Sequence, residues 1–62
     1  MNEKLNQIFQ MAEKSGNLID QVDAVTHKLS SASNLVAWAS LLACKGLSDE
    51  AQSAMNRARC AA

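Results

Sequence analysis

The chain contains no proline and only two glycines, Gly16 and Gly46. This lack of punctuation is its tightest constraint. Proline breaks helix interiors and glycine ends helices in the left-handed conformation, so most of this chain has nothing to stop a helix. Alanine and leucine are abundant, joined by glutamine, glutamate, lysine and methionine, all good helix formers. Alternating runs of β-branched residues are missing, which argues against strands. The expected class is all-α.

Apolar spacing sets the expected helices. Leu5, Ile8, Ala12, Ile19, Val22 and Leu29 recur at three-to-four spacing, with Ser15 and Thr26 completing the register. Phe9, Met11, Leu18 and Val25 widen that stripe. Such a pattern is an amphipathic helix. It runs in phase through Ser15-Gly16-Asn17 and predicts one long helix over about residues 2–29. The alternative is a break there, with Gly16 ending one helix and Asn17 capping the next. Ser30 to Asn34 reads as a connection, with Ser30 or Ser31 as cap of a second helix over about 32–45. That helix is apolar nearly all round, through Leu35, Val36, Trp38, Leu41 and Leu42. Its remaining face, Ser33, Ala37, Ser40 and Cys44, is small and suits close approach of another helix. Gly46 is the stop, and Ser48 is the expected cap of a third helix over about 48–60. There Leu47, Ala51, Ala54, Met55 and Ala58 share a face, and Asp49 and Glu50 sit in the first turn.

These lengths predict a three-helix arrangement: one long helix and a hairpin of two shorter ones. At 1.5 Å rise per residue the long helix is roughly 40 Å and each short one roughly 20 Å. The hairpin then covers only the C-terminal half of the long helix. The expected core is Ile19, Val22, Leu35, Trp38, Leu42 and Met55. Leu5, Ile8, Phe9 and Ala12 are left as the expected protein interface.

Sixty-two residues read as a single small domain with a modest core. Chains this small use a disulfide, a metal or a partner chain as a staple. Cys44 and Cys60 lie roughly 20 Å apart if a turn falls at Gly46, too far for a bridge. The metal-ligand spacings CxxC, HxxxH and ExxH do not occur. No metal or cofactor is expected. Self-association as a homodimer or higher oligomer is the remaining staple.

Six basic and six acidic residues give zero formal charge. Lys4, Lys14, Lys28, Lys45, Arg57 and Arg59 are dispersed, unlike the basic stripe of a nucleic-acid domain. The longest apolar run, Leu35 to Cys44 with Ser40 interrupting it, is about half the ~20 residues a membrane span needs. Met1-Asn2-Glu3-Lys4 lacks the basic start and apolar stretch of a signal peptide. The expected location is the cytoplasm.

Chemistry-bearing residues are sparse. Asp23 and His27 stand four apart on one helical face. That spacing could serve a tuned base or half a metal site, but the pair reads as an ordinary i, i+4 surface pair. No serine or cysteine is placed to join them as a nucleophile, so catalysis is not expected. Cys44 lies near a helix C-terminus, where the dipole disfavours thiolate, and reads as a packing residue. Trp38 reads as core, with a binding anchor as the alternative.

Gly46-Leu47-Ser48 between two helices is similar to the turn of a DNA-binding helix-turn-helix, but Leu42 and Gln52 stand where that motif needs a small and a branched apolar residue. Leu35 to Ala58 resembles one tetratricopeptide-type hairpin. Leu35, Trp38, Ala39 and Leu42 match its first helix, Gly46 its turn, and Ala51 and Ala58 its small second-helix positions. Met55 stands where an aromatic is usual, and the closing proline and a second repeat are absent. The resemblance implies protein binding. The expected function is thus a small interaction module, a regulator, inhibitor or adaptor. Its expected partners are its own copy and a host or cellular protein. The alternative is an oligomeric ligand-sequestering or nucleic-acid-associated protein, with Lys28, Lys45, Arg57 and Arg59 supplying a basic surface on assembly.

Overall fold

The computed structural model describes residues 3–61. These form four helices: α1 (Glu3–Ser15), α2 (Leu18–Lys28), α3 (Ala32–Cys44) and α4 (Ser48–Ala61). No strand occurs among the described residues. The expected start of helix one at Asn2 lies outside them.

The long first helix of the sequence reading is two helices. Gly16 takes φ +81°, a left-handed conformation open to glycine without penalty. Ser15 completes the stop. Its hydroxyl donates to the Ala12 carbonyl at 2.7 Å and accepts the Asn17 N–H at 3.1 Å. Asn17 occupies the position before α2, yet its side chain makes no capping bond. An in-phase apolar register favoured a continuous helix. A turn won because folding α1 back buries its apolar face within the chain.

The second connection keeps α2 and α3 apart through an extended stretch. Leu29 (φ −73°, ψ 128°) and Ser31 (φ −82°, ψ 130°) are both β-like, and Ser31 precedes α3 without a side-chain cap bond. The third turn follows a regular C-terminal scheme. Gly46, at φ +84°, donates to the Ala43 carbonyl at 3.1 Å, and Leu47 donates to the Leu42 carbonyl at 3.0 Å. This is the Schellman arrangement, which satisfies carbonyls the helix end leaves open. Ala51 N–H donates to the Leu47 carbonyl at 2.9 Å, so Leu47 flanks α4 and Ser48 is its first helical residue, not its cap.

The most extensive packing is α3 against α4. Ala39 of α3 and Ala51, Ala54 and Ala58 of α4 are all buried, and such short side chains let two helix backbones approach closely. Of the expected small face, Ala37 is half-buried against the core while Ser33, Ser40 and Cys44 are exposed, and the reading of Cys44 as a packing residue is corrected accordingly. Leu5, Phe9, Val22, Trp38 and Leu42 join Ala39, Ala51 and Ala54 in one apolar cluster drawn from all four helices. Removing each large side chain from water contributes about 1.5–3 kcal/mol. Leu35 is buried as well.

Candidate protein-interaction surface and the polar seam beneath it

Phe9 and Trp38 meet edge to face, with ring centroids 6.1 Å apart and an interplanar angle of 61°. The Lys45 ammonium stands over the Phe9 ring, 5.5 Å from its centroid. A cation at this distance from an aromatic face adds about 0.5–1 kcal/mol. Phe9 therefore contacts both α3 and the turn that follows it.

Trp38 is wholly buried, so its indole N–H needs an acceptor. It finds Thr26 of α2: Nε1 donates to Oγ1 at 2.9 Å, and Thr26 Oγ1 in turn donates to the Val22 carbonyl at 2.9 Å. The hydroxyl is thereby satisfied as donor and acceptor. Arg57 of α4 adds a second polar tie. Its Nε donates to the Thr26 carbonyl at 3.2 Å, and Nη2 donates to the His27 carbonyl at 3.4 Å. A guanidinium at the C-terminus of α2 meets the negative end of the helix dipole. Thr26 and Arg57 were not singled out for these roles in the sequence. Thr26's polar place on an apolar stripe was the only signal.

The expected Asp23–His27 side-chain pair does not form. His27 Nδ1 donates to the backbone carbonyl of Asp23 at 2.8 Å. The Glu50 carboxyl of α4 is pushed up to about 7 by hydrogen bonding with Asp23, then by burial, then by the charges of Asp23 and Asp49. Glu50 Oε1 is sealed from solvent and has no hydrogen-bond donor among the described residues.

The residues expected at the interface are redistributed. Leu5, Phe9 and Ala12 are buried by the chain's own helices, and only Ile8 of that set is half-exposed. The geometric reason for leaving them to a partner, an uncovered end of a long helix, disappears with the turn at Gly16. Of the residues expected in the core, Val22, Leu35, Trp38 and Leu42 are buried and Met55 is half-buried. Ile19 is exposed at 45 % and is corrected to a surface residue. It lies at the start of α2, beside a shallow cleft shared with Gly46 and Leu47.

An apolar surface that keeps Ile8 and Ala12 of the expected set takes its place. Ile8, Met11, Ala12 and Val25, with Ser15 and Gln21, line a cleft of about 290 Å³ between α1 and α2. Met11 on its rim is 71 % exposed, the most exposed large apolar side chain among the described residues. Met11 was read only as widening the stripe. Its exposure depends on where α1 folds back, which periodicity does not encode.

The chain matches no family model, no curated protein and no solved structure. The tetratricopeptide-like spacing therefore describes how α3 and α4 pack and carries no family assignment. No helix among the described residues is long and apolar enough to cross a membrane.

Proposed function

We propose that the protein is a small cytoplasmic interaction module that acts by binding another protein chain, with a second copy of itself as the first partner. The observation that carries this reading is Met11, standing in solvent at the rim of the apolar cleft that Ile8, Ala12 and Val25 line. Methionine is flexible and polarizable, which suits it to adaptable binding surfaces. Covering the cleft with a second chain removes this apolar surface from water and adds to a core that sixty-two residues keep small. Zero formal charge lets two copies meet without net repulsion.

The test is sedimentation and thermal melting over a range of protein concentrations. A concentration-dependent mass and a rising Tm are expected, because association stabilises the folded chain by mass action. The paired substitution Ile8→Gln and Met11→Gln should weaken association while helicity is retained. A pure monomer at high concentration with an unchanging Tm overturns self-association. A double variant that associates as tightly as the parent moves the interface elsewhere.

A further inference from the structure

The turn at Gly16 interrupts a register that does not itself break. From Leu5 to Leu29 the apolar stripe alternates steps of three and four, and it passes from Ala12 through Ser15 to Ile19 without a slip. A register kept over this length is the seam of a continuous helix that pairs with another. The turn is lightly closed. The Ser15 hydroxyl bridges the Ala12 carbonyl and the Asn17 N–H, and Asn17 adds no side-chain cap to α2. The Gly46 turn, by contrast, is closed by backbone donors from Gly46 and Leu47. Two exposed large apolar side chains, Met11 and Ile19, flank Gly16. In the folded-back chain they stand on separate helices. On a continuous helix Met11, Ser15, Leu18 and Ile19 fall at i, i+4, i+7 and i+8, one stripe centred on the turn.

We propose that two copies of the chain exchange α1: the turn at Gly16 opens, α1 and α2 run on as one helix, and each copy seats its α1 on the other's α2, α3 and α4. This rests on self-association as the chain's function and specifies how the second copy is held. Exchange of an identical element is a low-cost route to a dimer, because it reuses contacts the monomer already makes. Phe9 of one copy meets the second copy's Trp38 edge to face and lies under its Lys45, as it does within one chain.

The exchanged form keeps the core and adds one contact the monomer lacks. The two long helices pass each other at their midpoints, where the stripe of Met11 and Ile19 lies, and this takes both side chains out of water. Gly16 sets the balance between the forms. Glycine holds the left-handed turn without penalty and weakens a helix interior, so it favours the folded-back chain. A side chain at this position has room, since a methyl group there meets no atom within 4 Å.

The experiment joins sedimentation of the full chain to magnetic resonance between copies. A nitroxide is attached to Cys44, which is exposed and adjoins the Lys45 that covers Phe9, in a Cys60→Ser chain. This chain is refolded at high concentration with an isotope-labelled one carrying Cys44→Ser and Cys60→Ser. Amides of α1 around Phe9 in the isotope-labelled chain should broaden, because the nitroxide on the other copy sits beside them. Gly16→Ala should shift the equilibrium toward dimer by about tenfold or more, since alanine disfavours the left-handed turn and favours the helix. Two glycines inserted between Gly16 and Asn17 break the register and ease the turn, and should abolish the dimer. A dimer that survives this insertion, that lacks the α1 broadening, or that Gly16→Ala does not favour overturns the exchange and leaves association through the outer cleft standing. A parent chain that stays monomeric at high concentration overturns both. The broadening is read with Gly16 in place, so it decides even where Gly16→Ala fails to fold.

Discussion

The α1–α2 and α3–α4 halves are both helical hairpins, but they close in different ways. The α3–α4 half buries four alanines, Ala39 on α3 and Ala51, Ala54 and Ala58 on α4, and the turn satisfies the end of α3 through backbone bonds from Gly46 and Leu47. That hairpin needs little beyond itself to bring its backbones together. In α1–α2 the turn is held by a serine hydroxyl, and the large residues Leu5, Phe9 and Val22 enter a cluster completed by Trp38 and Leu42 of α3. Large side chains cannot fill a two-helix contact alone, so this half depends on a third element. The same bulk leaves an apolar cleft with Met11 on its rim. Small faces make a self-contained pair, whereas large faces create both dependence and surface.

The sharpest way to break this contrast is at the residue that joins the halves. Trp38→Ala removes the partner of Phe9 and of Thr26 together, and should cost about 3–5 kcal/mol by chemical denaturation. Amide exchange should show α1 and α2 losing protection before α3 and α4. Equal loss in all four helices would dissolve the distinction between the halves.

A smaller effect is expected from Thr26→Val, which keeps shape but leaves the buried Trp38 N–H without its acceptor. The loss should be about 1–3 kcal/mol. Combined with Trp38→Phe, which removes the donor as well, the threonine change should become less costly in a double-mutant cycle. Additive losses would mean that the bond contributes nothing specific.

The two turn glycines sharpen the comparison at the low end. A methyl group at Gly16 or Gly46 meets no atom within 4 Å, so space is not the obstacle. The cost of Gly→Ala lies in holding a left-handed backbone, about 1–2 kcal/mol. Gly46→Ala should show that loss with the fold unchanged. Gly16→Ala should show it too, with some gain in helicity, because the register on either side already runs in phase and a continuous helix competes. Equal helicity in both variants would mean that the α1–α2 turn is no more labile than the other.

Much of the local structure was legible in the chain. The absence of proline, the helix-forming composition and the apolar spacing determine an all-helical chain, and Gly46 with the acids after it marks the α3–α4 turn. Leu35, Trp38 and Leu42 could be read as core because a helix apolar on most sides has nowhere else to go. Long-range choices were decided only in three dimensions. A continuous register cannot say whether α1 extends or folds back, since both keep its stripe on one face. The gain comes from burying Leu5 and Phe9 against residues far along the chain. That choice decides that Ile19 and Met11 face solvent and that Thr26 serves Trp38. Periodicity reports which residues share a helix face, and only tertiary packing decides what that face meets.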